Sequence, residues 1–408
     1  MGSVAEINHC RISGSPNLEH LLDLGNQPLA NAYQTNADLV EPTYPLNLLF
    51  CPDSSLVQIR ETVDKHRLFN HYSWVTGTAK TTEEYADIFL SRVLYRIDVS
   101  RNDLVLEIAS NDGTFLKPFI KRGLSVLGIE PAVNIAKVAN DEGVLTLNEF
   151  WSDELAENLI SKYQPAKVVI ARNVIPHVSN IDSVIRGIAR ILDDGGLGVI
   201  EFHDASQILE ALQYDSIYHE HLCYFSVKTV TSLLNKYRLY PYDIDTSPIS
   251  GGSHVIYFTK SPQPCTQNFI ETGRKEELNG VNTLEAWQNF AQSAQVHRNQ
   301  TLEILDSLSG KMIVGFGASA RSQTYLNYCQ LDNQLIKVVI DNNQLKQGKY
   351  TPGSSIPIVS IEDGMRYNPH TIFLLAWNFK QEIMQQCRAL GFNGQFLLPF
   401  PTQPHIIG

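Results

Sequence analysis

Tyr218, His219, Glu220 and His221 stand side by side in the stretch YDSIYHEHLCYF (214–225), bounded by apolar residues. Four groups able to carry or share protons occupy four positions. A solvated charge cluster, a metal centre and a proton-abstracting site all begin from such a set. His-x-His with one nearby acid lacks the further ligands that a structural zinc site takes, so no metal is expected here. Proton abstraction asks for a base that is neutral at physiological pH, and a histidine near its ordinary pKa meets that need. In an extended segment His219 and His221 face one side while Tyr218 and Glu220 face the other. Glu220 can therefore pair with His221 only if the backbone turns locally.

A second constellation lies in LEIASNDGTFL (106–116). It places Glu107, Ala109, Ser110, Asp112 and Gly113 at the end of an apolar run that reads as a strand. Small residues let the backbone approach a ligand, and the following helix offers free N–H groups. The pattern is not GxGxxG, so pyrophosphate is a poor fit. The acids instead suit a ligand with cationic or neutral polar groups. Glu130 follows Glu107 by 23 positions, where an acid ending the next strand accepts hydrogen bonds from ribose hydroxyls. S-adenosylmethionine meets this description, with a ribose, an amino acid, a sulfonium and no phosphate. GFGAS (315–319) with Asp341 is a second glycine-rich loop, which either holds a phosphate or allows a tight strand–helix turn.

The elements that would carry these groups follow from rhythm. DLVLEIA (103–109), LSVLGIE (124–130), AKVVIARN (166–173) and GLGVIEFH (196–203) are short apolar runs separated by helix-compatible segments. Strands alternating with helices imply a parallel sheet covered on both faces. YPYDIDTSPI and HVIYFTK, with SGGS between them, read as an antiparallel pair at one edge. Residues 1–76 hold short β-like runs and many turn residues. TTEEYADIFLSRVLYRI reads as the first long helix, capped at Thr81 or Thr82. KSPQPCTQ (260–267) reads as a linker, after which a second α/β rhythm runs through KMIVGFGAS, IKVVIDNN, TIFLLAWN and GQFLLPFP. The expected class is α/β: a small β-rich module (1–76), a central Rossmann-like domain (77–262) and a C-terminal Rossmann-like domain (263–408).

Composition narrows the partners. The chain has 408 residues, 43% hydrophobic and 18% charged, with 32 basic and 43 acidic residues giving a net charge of −11. This is globular material, and an acidic balance without a basic run argues against nucleic acid or an anionic membrane. No stretch of about 18 apolar residues and no charged-then-apolar leader is found, so a cytoplasmic protein without membrane association is expected. The six cysteines are too sparse for a disulfide scaffold.

The motifs LLDLGNQPLANAY, LEIASNDGTFL, GIEPA, ARNVIPHV, IYHEHLCYFS, GFGASARS, VVIDNN, KQGKYTPG and LLAWNF, in this order, resemble the S-adenosylmethionine-dependent sugar C-methyltransferases of deoxysugar pathways. The resemblance covers nearly the whole chain. It implies a thymidine-diphosphate 4-keto sugar methylated at C3, with His221 as general base beside Glu220 and Tyr218. It implies active-site places for His177 and Tyr72, and a donor site that adds Pro131, Phe150 and Asn173 to the acids and small residues above. Asn173, His177, Gly315, Gly317, Ala318, Ser319, Arg321, Asp341, Lys346, Lys349 and Tyr350 are the expected nucleotide-sugar contacts, in a monomer or weak dimer.

Two departures stand out. The family's N-terminal module carries two Cys-x-x-Cys zinc pairs, whereas this chain reads CRIS (Cys10, Ser13) and CPDS (Cys51, Ser54). Hydroxyls are poor replacements for thiolates, so no tightly held zinc is expected, although His9 stands adjacent as a substitute ligand. In SGGSHVIY, Val255 follows His254 where the family pattern suggests an arginine for the carrier diphosphate. Rival readings are methylation of another acidic C–H or of oxygen, a dinucleotide-using oxidoreductase built on GFGAS, and an inactive binding relative.

Overall fold

The computed structural model describes residues 4–39, 41–69, 76–78, 80–248, 252–401 and 403–408. Its centre is a seven-stranded sheet. From edge to edge the strands are Tyr240–Ser247, Ser253–Thr259, Leu192–His203, Ala166–Arg172, Leu104–Ile108, Ser125–Ile129 and Thr146–Leu147. The last five are mutually parallel, and the first two form an antiparallel pair at one edge. All five residues of Leu104–Ile108 are buried, as an apolar run covered on both faces must be. Helix Lys80–Arg96 covers the expected segment but begins at Lys80, so Thr81 and Thr82 fall within its first turn and not at its cap. Helix Ile181–Ile191 shows why these segments dock: Ile181, Val184, Ile185, Ile188 and Ile191 form one buried stripe, and the Asn180 side chain caps the Ser183 N–H.

The strand order reverses between the parallel neighbours Leu104–Ile108 and Ala166–Arg172, the switch point where doubly wound sheets bind ligands. Both strands end there in left-handed backbone, Ala109 at φ 51° and Asn173 at φ 52°. Such strain is retained where a crevice needs it. The second α/β unit is a six-stranded sheet of strands Ile358–Val359, Val339–Ile340, Ile313–Phe316, Thr371–Leu374, Gln395–Leu398 and His405–Ile407, parallel except for the last pair. Helices Gln267–Asn279 and Leu284–Ser307 precede it.

The N-terminal part is β-rich, but its sheet is not its own. Strands Glu19–Gln27, Tyr44–Phe50 and Val57–Ile59 are joined by Cys223–Tyr224, taken from the central domain's YHEHLCYF stretch. No helix among the described residues is long and apolar enough to cross a membrane.

The two α/β parts are locked by buried ionisable groups. Asp204 Oδ2 meets His254 Nε2 at 3.2 Å, and Oδ1 accepts from the Ser206 N–H. Glu276, from helix Gln267–Asn279, accepts the Val227 N–H on both oxygens. Ligating atoms of Asp204, His254 and Glu276 lie within 4.8 Å of one another, and these hydrogen bonds account for the grouping. Burial pushes Glu276 from 4.5 up to about 7. At His254 burial opposes the charge, but the Asp204 carboxylate outweighs it and raises the pKa. Both raised values mean that the folded state holds extra protons, so stability is lost as pH rises through them. Relative to Glu276→Gln, the wild type is expected to lose denaturant midpoint as pH rises from about 5 to about 8; the same pH dependence in both proteins would remove Glu276 from the linkage.

Candidate active site

One cavity of about 520 Å³ joins the switch-point crevice to the YHEH turn. On the crevice side it is walled by Glu107, Ala109, Ser110, Glu130, Pro131, Phe150 and Asn173. Buried Glu107 Oε2 and Ser110 Oγ have no partner among the described residues, which suits a ligand bringing its own N–H and O–H donors. Burial pushes Glu107 up to about 8, against the pull of Arg172 and with the help of Asp112, Glu201 and Glu130. Glu130 is also raised by burial, while the Ala132 and Asn111 N–H groups hold its carboxylate in place.

Asp112 and Gly113 do a different task from the expected one. The Asp112 carboxylate accepts from the Gly77 N–H at 2.9 Å and from Thr114, so it anchors the segment arriving from the N-terminal part. Gly113 sits at φ +76°, where an added Cβ would stand 2.7 Å from Val144. Neither residue walls the cavity; a turn and a close approach account for both.

The YHEH segment is not extended. The His221 N–H donates to the Tyr218 carbonyl, closing a local turn that brings positions three apart together. Tyr218, not Glu220, therefore pairs with His221, its hydroxyl 2.8 Å from Nε2. His221 Nδ1 lies 2.9 Å from the Ser216 carbonyl. A carbonyl only accepts, so Nδ1 carries the proton and Nε2 is the basic atom. Glu220 accepts from Asn31 at 2.6 Å, and His219 bonds the Pro45 carbonyl, placing both against the N-terminal part.

His177 packs edge-on against His221 at 4.8 Å between ring centroids, and its buried Nδ1 has no partner among the described residues. Burial lowers His177 to about 4. Burial, with His177 and His203 nearby, also drives His221 well below its ordinary value. The expectation of a near-normal histidine is not met: burial and the neighbouring imidazoles hold His221 neutral and make it a weak base. Tyr72 lies outside the described residues, as do 249–251.

The C-terminal domain reaches the cavity with Ser319, Ala320, Arg321, Lys346 and Asn378. Gly315, Gly317 and Ala318 do not wall it. An added Cβ at Gly317 would lie 2.3 Å from Ala376, so the glycines let two strand ends pass closely. Asp341 spends its carboxylate on the Ala318 and Asn343 N–H groups. Lys349 and Tyr350 stand off the cavity, and Tyr350 pairs its backbone with Gln34. Arg321 reaches the cavity but is gripped by Asp215 at 2.8 and 3.1 Å. Val255 is fully buried in the central sheet.

Sequence reasoning did not single out Asn31, Lys65, Arg172, His203 and Tyr224 on this wall. His203 had a signal: it ends a parallel strand on the crevice side, where ligand contacts collect. Its buried Nε2 has no partner among the described residues, and burial lowers its pKa to about 3.

A doubly wound sheet with an acid-lined switch-point crevice, opening onto a buried tyrosine–histidine pair, is the arrangement of an S-adenosylmethionine-dependent methyltransferase. Residues 78–240 match the family described as methyltransferase domain, 248–401 the C-methyltransferase C-terminal domain and 10–69 the "Putative zinc binding domain". The chain is 30% identical to the C-methyltransferase NovU of Streptomyces niveus, across 99% of this chain and 98% of that one. The chain belongs to this C-methyltransferase family, and S-adenosylmethionine is its methyl donor. Among solved structures it is similar to an S-adenosylmethionine-dependent methyltransferase from Thermotoga maritima (20% identity, 44% of this chain, 91% of that chain, TM-score 0.34). It is also similar to the magnesium protoporphyrin IX methyltransferase of Synechocystis with bound donor (13% identity, 44% and 80% covered, TM-score 0.34).

A cationic ligand beside Glu107 favours the ionised carboxylate, so donor binding should release a proton. Affinity for S-adenosylmethionine, measured calorimetrically, is expected to rise from about pH 6 to about pH 8, and Glu107→Gln to flatten the profile. A profile equally steep in the variant would remove Glu107 from donor binding.

Proposed function

We propose that the protein methylates C3 of a nucleotide-linked 4-keto deoxysugar, with His221 removing the C3 proton. The observation that carries this reading is the fixed tautomer of His221: Nδ1–H is tied to Ser216, which directs the Nε2 lone pair to Tyr218 on the wall of the donor cavity. A C–H beside a ketone becomes a nucleophilic carbon on deprotonation. Substrate entering the cavity exchanges the Tyr218–Nε2 hydrogen bond for its own C–H. The released Tyr218 hydroxyl then donates to the developing enolate oxygen. A negatively charged substrate also stabilises the imidazolium and moves His221 back toward a working pKa. When bound, S-adenosylmethionine supplies the electrophilic methyl that the enolate carbon takes.

The carrier diphosphate is assigned to the far wall. Ser319 caps the nine-residue helix Ala320–Tyr328, whose N–H groups and dipole favour an anion. Lys346 stands beside it, 2.8 Å from the Ala318 carbonyl and 3.6 Å from Asp341. Since Arg321 is held by Asp215, Lys346 is the better placed cation of the two.

Exchange chemistry tests the base role. With substrate present and methyl donor absent, wild-type protein should wash solvent deuterium into C3, and His221→Ala should lose at least about 10²-fold in that exchange. Tyr218→Phe should keep measurable exchange while methyl transfer falls by about 10²–10³. Equal exchange in wild type and His221→Ala would assign the proton to another group. Product NMR separates carbon from oxygen methylation.

A further inference from the structure

The N-terminal family match implies a zinc ion held by two Cys-x-x-Cys turns, and the structure permits a test of whether this chain's residues fit one. Both turns keep the backbone of a metal knuckle. The Gly14 N–H donates to the Cys10 carbonyl at 2.9 Å, and the Ser55 N–H to the Cys51 carbonyl at 2.8 Å. Gly14 and Ser55, each four residues after a cysteine, take φ of 74° and 62°. The donor set does not fit. Cys10 Sγ lies 3.2 Å from Ser54 Oγ, and Ser13 Oγ lies 3.9 Å from Cys51 Sγ, so each thiol faces a hydroxyl of the opposite turn. The hydroxyls also accept backbone N–H groups, Leu56 to Ser54 and Ser15 to Ser13.

Among the described residues no substitute ligand joins the two cysteines. His9 is exposed beside Asn8, and His20 bonds Asn47. Among the described residues no third Cys, His, Asp or Glu forms a ligand group with Cys10 and Cys51. Two thiols and two neutral hydroxyls fall short of the four strong donors of a structural zinc site. The turns are nonetheless fully buried at both cysteines, packed with Ile12, Leu56 and Ile59 in one apolar cluster.

We infer that this module has replaced its metal by crossed thiol–hydroxyl pairs and apolar packing, and that it supports the catalytic segment without zinc. The connection is direct. The Arg11 N–H donates to the Gln58 side chain, whose amide donates to the His9 carbonyl, and Gln58 lies in the strand that pairs with Cys223–Tyr224. The first turn is thus fastened to the strand that carries the segment after His221. The knuckle backbone also remains shaped for a metal, so Ser13→Cys with Ser54→Cys recreates a four-thiolate site.

The experiment measures metal content and thermal unfolding of full-length protein expressed with added zinc, before and after a strong chelator. Wild type should hold substoichiometric zinc, and the chelator should leave its midpoint unmoved. The Ser13→Cys/Ser54→Cys protein should hold stoichiometric zinc, show a thiolate-to-metal charge-transfer band when refilled with Co(II), and lose midpoint on chelation. Stoichiometric zinc in wild type, with a midpoint that drops on chelation, would overturn the inference. A folded double variant that takes up no Co(II) would overturn the claim that the backbone remains shaped for a metal. If the double variant does not fold, the wild-type measurements decide the zinc-independence alone. None of these readouts involves substrate, so the result stands apart from the assignment of His221.

Discussion

The peptide of Leu222 is the joint on which the site depends. Its N–H donates to the Pro176 carbonyl at 2.7 Å, and its carbonyl accepts from the Ile59 N–H at 3.1 Å. One bond reaches the turn that ends in His177, and the other reaches the N-terminal sheet. His221, one residue before, is thereby fixed between two parts of the chain that are distant in sequence. Cys223 and Tyr224 extend the same sheet, so the segment cannot swing away without breaking a strand pairing.

That joint also sets the electrostatics. His177, His203 and His221 are brought onto one buried wall, where burial holds all three below the ordinary histidine range. Three neutral imidazoles cost far less to bury than three cations, and a dry wall strengthens any charge that a ligand introduces. On the opposite wall the logic is reversed: Glu107 is held high by burial and neighbouring acids. Histidines held neutral and a glutamate held high leave the lining responsive to the charge that a ligand brings.

The N-terminal part is held together largely by apolar packing. Leu46, Leu48, Leu56 and Ile59 are all completely buried, and the sheet closes over both the knuckles and the catalytic segment. At roughly 1.5–3 kcal/mol for each buried aliphatic side chain, this packing is large against the loss of a few polar contacts. The Tyr33 hydroxyl then ties the part to the Ala318 carbonyl of the C-terminal domain. All three parts of the chain meet at one cavity.

By itself the sequence determined whatever depends on short-range order. The buried strands, the antiparallel edge pair and the glutamates at the crevice follow from runs of apolar residues and from what ends them. The tertiary structure alone decided which polar groups face each other. Periodicity places Tyr218 and His221 on opposite sides of an extended segment; a turn held by Pro176 and Ile59 pairs them instead. Asp112, Asp341 and Gly317 have the residue types of ligand contacts, yet each is used to fasten a loop, because the backbone N–H or neighbouring strand that claims it comes from far along the chain. Long-range hydrogen bonds leave no local pattern, and for that reason the partner of a polar side chain had to be read from the folded chain.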